Sequence, residues 1–502
     1  MLGRSARSPP VASPPARMRA IHKVAKVASC GILVCSAVYL SLAYYRRASP
    51  SPPARDYSTP RTFTLNVPDP MNPYRLRPKE IRMMTMLEAS KKLRANQESH
   101  RVTRAKGIWR YDINALASND PIEDDRIEHI IKASDDSDWT FYGIFDGHSG
   151  WYTSDTLKKN LVPYVARELD SVYKSSSTPI DQDITDAIKS GFVKLDNEIV
   201  NESVAKLLPN LTKSAAADLL MPALSGSCGL LAFFDSKTKQ VHVACTGDSR
   251  AVLGTKDNSG VWIAKSLSVD QTGSNVEEAE RIKREHPGED KAVWRGRVLG
   301  SLEPTRAFGD AKYKWSNDVQ RKLEHEYFGR RISDYCKTPP YVTAEPVVTT
   351  TKIDTSKESF MVMATDGLWE CLTNEEAVGL VGRWLDQGSS RPNGWMPNWF
   401  AGNKEPLAKA DPADKKTGQK DPHNTQKKKF AFEDDNAATH LIRNALGGND
   451  KDQLCSLLSL PSPMSRNYRD DITITVVFFG DNGESSSKEE FIVKHGEFKA
   501  KI

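Results

Sequence analysis

Carboxylates carry the most informative pattern in this 502-residue sequence. Three of them stand beside glycine, each at or next to the end of an apolar run that reads as a strand: Asp146 in FDGHSG, Asp248 in TGDSR and Asp366 in ATDGLWE. The pair Asp470-Asp471 in YRDDITI opens the last apolar run, and Glu123-Asp124 in PIEDDR precedes the run that leads to Asp146. Taken singly, each Asp-Gly reads as an ordinary turn at a strand end. Turns, however, need neither an apolar strand leading into each carboxylate nor a histidine two residues after one of them, as His148 follows Asp146. Strand ends converge in space, and hard oxygen donors gathered there suit Mg2+ or Mn2+, which keep several waters and take few carboxylates from a protein. Two such ions side by side activate a water and neutralise a phosphoryl group, so metal-assisted hydrolysis is the chemistry expected.

The elements that must position these groups are mostly strands. WTFYGIF runs into Asp146; CGLLAFFD, the polar turn SKTKQ, VHVACTG and RAVLG follow one another as antiparallel strands should. SFMVMATDG is another apolar run, and DITITVVFFG closes the series. Helices are predicted for 151–173, for NVEEAERIKREH, for 79–100 and after Thr373, whose spacing to Glu376 matches a capping box. Strands and helices mix without strict alternation, which predicts an α+β fold of antiparallel sheets covered by helices.

Charge separates the chain into a leader and a body. Residues 1–55 hold nine Lys or Arg and no acid, which leaves 61 basic against 65 acidic residues beyond them. The basic excess therefore lies outside the candidate domain, and nucleic-acid binding, which needs a basic face on the folded part, is set aside. Residues 1–26 resemble a mitochondrial presequence in composition. From Val27 to Tyr45 no charged residue occurs, and nineteen residues at helical rise cover about 28 Å, so 27–45 is expected to be a transmembrane helix. Basic residues flank it on both sides, which leaves matrix or intermembrane space undecided. Residues 46–78 are expected to be a linker, rich in Pro and Ser at 48–60, and 79–484 a catalytic domain with a C-terminal extension at 485–502. A solvated insertion with eight lysines spans 388–431, where Trp395 and Trp399 mark a contact surface. The seven cysteines form no C-x-x-C pair and read as buried thiols in a reducing compartment.

The ordered set PIEDDR, FDGHSGW, SGSCGLLAFF, CTGDSRAVLG, LEPTRAFGD, MATDGLWE and YRDDITITVV resembles the type 2C, metal-dependent serine/threonine protein phosphatases, over about residues 115–480. The resemblance implies a sandwich of two antiparallel β-sheets flanked by α-helices, with two Mg2+ or Mn2+ ions at one edge. Carried over by motif, Asp146 bridges both ions, the Gly147 carbonyl holds one of them, and Asp366 and Asp470 bind the other. Glu123 and Asp124 orient waters around the metals, and His148 is the general acid for the leaving serine or threonine oxygen. Asp248 and Glu370 fall where some members hold a third ion, with Glu370 in place of the more usual Asp. Arg250, Arg306 and Asp310 are expected to brace the site.

One departure narrows the resemblance. Many members carry a phosphate-clamping arginine four residues before the first metal-associated Glu, where this chain has Asn119. Asn119 before PIED, the RDDIT ending and FEDDNAATHLIRNALGG ahead of it resemble the pyruvate dehydrogenase phosphatase subgroup and its fungal mitochondrial relatives. That subgroup implies a phosphoserine substrate on the pyruvate dehydrogenase complex. A binding protein on the same fold, a pseudophosphatase, would be expected to have lost metal ligands, and none is lost. Another binuclear metallohydrolase, a phosphodiesterase or nuclease, would be expected to show several histidine ligands.

Overall fold

In the computed structural model, residues 57–58, 61–69, 72–387, 408–414, 422 and 430–480 are described, with short gaps at 135, 177, 208–211 and 328–330. The leader, the 27–45 segment, most of the 388–431 insertion with Trp395 and Trp399, and the 485–502 extension lie outside these residues. Among the described residues no helix is long and apolar enough to cross a membrane.

Two sheets form the body. The first orders its five strands Val347–Lys352, Gln240–Thr246, Gly229–Asp235, Asp138–Phe145 and Asp125–Lys132, all antiparallel. The second has seven: Lys409–Ala410, Trp262–Ser266, Arg250–Lys256, Ser359–Ala364, Ile472–Gly480, Gly107–Leu116 and Glu98–Arg101. Its pairs are antiparallel except at one edge, where Lys409–Ala410 runs parallel to Trp262–Ser266. That edge pair corrects two expectations. The second sheet is not purely antiparallel, and part of the insertion is docked, with Ala408 buried and Asp414 Oδ2 accepting from the Ser266 amide at 2.8 Å.

Strand alternation builds the layers. In Ser359–Ala364, Phe360 and Val362 pack with the helices outside the second sheet, while Met361 and Met363 face the first sheet. The closing strand repeats the pattern, with Ile474, Val476 and Phe478 outward and Val477 and Phe479 inward. Their inward partners from the first sheet include Tyr142, Ile144, Leu230, Ala232 and Phe234. Strands covered on both faces read as continuous apolar runs, which is why they were legible without a clean alternation. Helices Tyr152–Ser175 and Asp181–Asn197 cover the outer face of the first sheet through Leu161, Val165, Ile188 and Phe192 against Phe141 and Phe233. Helix Asn374–Asp386 begins with the capping box expected at Thr373 and Glu376 and packs outside the second sheet.

The N-terminal boundary differs from the sequence expectation. Residues 61–78 are not all linker: Arg61–Asp69 pairs antiparallel with Asn72–Met83. The far end of this hairpin buries Ile81 and Met83, and Met83 joins the core that includes Cys455 and Leu458. The helix expected over 79–100 shrinks to Met86–Leu93, started by a Thr85–Glu88 capping box, because Glu98–Arg101 is recruited as the edge strand beside Gly107–Leu116. Tertiary pairing overrides helical composition here.

Candidate active site

The site forms where the chain crosses between the sheets. Asp146 ends the Asp138–Phe145 strand of the first sheet, and Asp248 lies in the crossing from Gln240–Thr246 to Arg250–Lys256 in the second. Asp366 follows Ser359–Ala364 and opens the short helix Asp366–Trp369. Ligand atoms of these three carboxylates lie within 4.8 Å of one another. The register Asp125↔Phe145 sets Asp124 opposite Asp146, and Ala364↔Ile474 brings Asp470 beside Asp366. Glu370, one turn beyond Asp366 at the C-cap of the short helix, is not one of the three converging groups.

Two glycines permit the close approach. A Cβ on Gly147 would sit 2.1 Å from the Glu123 carbonyl oxygen, so only glycine lets the Asp146 and Glu123 loops touch. Gly247, with φ +110°, turns the chain into Asp248 over the Cys228 thiol.

Electrostatics dominate the pocket. Burial, then the charges of Asp366, Asp124, Asp470 and Asp248, hold the Asp146 carboxyl well above the usual range. Burial and Asp471 do the same to Asp124, and burial with Asp366 pushes Asp470 up to about 7. Carboxyls crowded this closely resist ionising together unless cations join them. The oxygen-only donor set fits Mg2+ or Mn2+, whose charge removes that repulsion.

His148 is built from a second, smaller device. Gly147–His148, Gly226–Ser227 and Phe308–Gly309 form a three-stranded ribbon with Gly226 in the middle. The ribbon brings His148 Nε2 to 2.6 Å from Asp310 Oδ2, across 162 residues of sequence. A Cβ on Gly226 would lie 2.2 Å from that Nε2 and 2.3 Å from that Oδ2. Burial alone would lower the His148 pKa, but Asp310 outweighs it and raises it; burial would raise Asp310, and His148 holds it low. The pair thus favours the imidazolium–carboxylate form, with Asp310 buried and His148 partly open to solvent.

The supporting residues sort cleanly. Arg250 gives Nε and Nη2 to Asp270 at 2.9 and 2.5 Å and Nη1 to Asn374 at 2.8 Å, and Arg306 grips Glu278 at 3.1 and 2.7 Å. Both brace the surroundings, as expected. Asp310 braces by holding His148. Asp471, the sequence neighbour of Asp470, is a hub. It accepts from the amides of Ser118 (2.5 Å), Asn119 (2.9 Å) and Glu123 (2.9 Å) and from Asn119 Nδ2 (3.1 Å). The same Nδ2 reaches Glu123 Oε2 at 3.1 Å, and the other oxygen of Glu123 accepts from the Gly150 amide at 2.6 Å. The doubled Asp470-Asp471 was the available signal, because only one of two adjacent carboxylates can face the ions.

Residues 117–399 match the family described as protein phosphatase 2C. The chain belongs to that family and is a protein serine/threonine phosphatase. Among curated relatives, it is 44% identical over 465 residues to the mitochondrial pyruvate dehydrogenase [acetyl-transferring] phosphatase 1 of Saccharomyces cerevisiae, covering 86% of this chain and 81% of that protein. It is 46% identical over 382 residues to a protein phosphatase 2C homologue of Schizosaccharomyces pombe, covering 75% and 81%. The corresponding human mitochondrial phosphatase 1 is 33% identical over 460 residues, covering 78% of this chain and 82% of that protein.

Proposed function

We propose that this phosphatase dephosphorylates serine on the pyruvate dehydrogenase complex in mitochondria, tethered to a membrane through residues 27–45. The substrate reading is supported by the names and identities of its budding-yeast and human relatives. The tether is supported by the uncharged 27–45 run and its basic flanks alone. Asp146, the Gly147 carbonyl, Asp366 and Asp470 are the ligands of two Mg2+ or Mn2+ ions, and Asp248, which converges with Asp146 and Asp366, belongs to a third site. Glu370 is the weaker candidate there, since it stands outside that cluster.

The observation that carries the mechanism is the His148–Asp310 pair beside the converging carboxylates. When bound, the ions supply an activated water and offset phosphoryl charge. Glu123 and Asp124 accept hydrogen bonds and orient that water; Asn119 and Gly150 hold Glu123, and Thr365 Oγ1 donates to Asp124 Oδ2 at 3.1 Å. Asp310 favours the protonated imidazolium of His148, which gives its proton to the departing serine oxygen. Asp310 keeps the ring oriented.

The test is hydrolysis of phosphorylated pyruvate dehydrogenase and of a generic phosphoserine peptide by the purified chain, with Mg2+ or Mn2+ and after chelation. Asp146→Asn should abolish both activities, and the dehydrogenase should be the better substrate by kcat/KM. Activity that survives chelation and that substitution would refute the metal mechanism. Equal kcat/KM for the two substrates would refute the specific substrate. Protease protection of the C-terminus in isolated mitochondria, before and after outer-membrane rupture, reports the compartment; digestion after rupture would rule out the matrix complex as substrate of the tethered form.

A further inference from the structure

A phosphate monoester brings about two negative charges to a site already crowded with carboxylates, and a guanidinium is the side chain best shaped to meet them. The position ahead of Glu123 offers none, because Asn119 uses its amide on Glu123 and Asp471. Arg250 and Arg306 are bound to Asp270 and Glu278, with side chains 2% and 11% exposed. Arg469 is buried, and its Nη2 donates to the Ala117 carbonyl at 2.6 Å.

Arg466 differs from all three. It lies in the short helical turn Met464–Asn467, four residues before Asp470, and its Nη1 is ion-paired with Asp470 Oδ2 while the side chain stays 48% exposed. Asp366, Asp146 and Asp471 also act on its charge, which sets the guanidinium at the carboxylate cluster. The turn itself is pinned, since buried Ser465 donates its hydroxyl to the Ser118 carbonyl at 2.5 Å. The backbone that carries Arg466 is therefore tied to the loop that carries Asn119 and Glu123. A charged side chain on an anchored backbone, at the metal cluster and open to solvent, meets the requirements of a preorganised anion ligand.

We propose that Arg466 binds the phosphoryl group of the substrate and so supplies, from the segment before the last strand, the cation that Asn119 does not. The inference rests on the phosphatase reading of the site. Arg466 also balances the charge of Asp470, and a residue limited to that task would affect metal binding and leave phosphate binding intact.

The experiment compares the full chain with Arg466→Ala and Arg466→Lys. Three quantities are read: KM and kcat for a phosphoserine peptide, the inhibition constant of inorganic phosphate, and the half-saturating Mg2+ concentration. In parallel, the rise in melting temperature caused by inorganic phosphate is measured with Mg2+ present. Arg466→Ala should raise KM and the phosphate inhibition constant together by about tenfold to a hundredfold, the worth of one or two charge-assisted hydrogen bonds. Arg466→Lys should recover part of the loss, because it restores charge without the fork. The phosphate-induced rise in melting temperature, read at saturating Mg2+, should disappear in Arg466→Ala, beyond any shift in half-saturating Mg2+ from the lost pairing with Asp470. Unaltered phosphate constants, or a loss explained wholly by weaker Mg2+ binding, would overturn the inference. A wild-type chain inactive on every phosphopeptide would refute the phosphatase reading instead, and the thermal effect of phosphate would still decide the role of Arg466.

Discussion

Replacing Gly226 by alanine is expected to disable proton donation while leaving the metal ligands in place. The added Cβ would lie 2.2 Å from His148 Nε2 and 2.3 Å from Asp310 Oδ2, where non-bonded heavy atoms need about 3.5 Å. More than about 1 Å of displacement is therefore required. Gly226 cannot retreat easily, since it is paired to His148 on one side and Gly309 on the other. The side chains must part instead, and a 2.6 Å charge-assisted bond does not survive that separation. General acid catalysis contributes about 10²- to 10⁴-fold, so kcat on a phosphoserine peptide should fall by that order. Hydrolysis of p-nitrophenyl phosphate supplies the control, because its leaving group departs as a stable anion and needs no proton. Gly226→Ala should slow it by less than about tenfold if the reasoning holds. Equal losses on both substrates, or a raised half-saturating Mg2+ concentration, would refute it by showing that the ribbon supports the ions and not the proton.

Two further outcomes follow from the electrostatics. Because the Asp470 carboxyl is pushed up to about 7, it retains its proton below that pH and competes with the ions. Half-saturating Mg2+ should therefore rise as pH falls from 8 to 6, and calorimetry should record proton uptake by the buffer on metal binding; pH-independent affinity would contradict the crowding. At Glu278, burial is outweighed by Arg306 and Arg281, which lower its pKa from 4.5 to about 2. A depressed carboxylate stabilises the fold above the unfolded value and loses that stabilisation as pH falls through the folded one. Glu278→Gln should thus cost a few kcal/mol at pH 7, removing the carboxylate charge that Arg306 and Arg281 share, and much less near pH 2, as read by denaturant melts. An equal cost at both pH values would show that packing, and not charge, is what the substitution removes.

The strand-end pattern nominated Asp146 and Asp366, each an acid beside a glycine after an apolar run, while Asp470, which opens its strand without a glycine, was nominated as a ligand by the resemblance. Asn119 was legible as a departure, but its work was not. Its amide ties Glu123 to Asp471, a residue 352 positions away. Arg466 carried no signal of its own, since an arginine four residues from an aspartate is ordinary until the fold shows which aspartate it meets.

Composition and local pattern, read along the chain, carried the class of the fold and the expectation of metal chemistry, and the motif resemblance added the bracing arginines. Those depend on short-range periodicity and on residue types that tolerate few substitutes. Only the tertiary structure decided that the body starts with a hairpin near Arg61, that Lys409–Ala410 joins a sheet edge, and that Asp310 holds His148 across Gly226. Each of these is set by a pairing between distant segments, and such pairings are chosen by the free energy of the whole packed core. No local stretch of sequence contains that information.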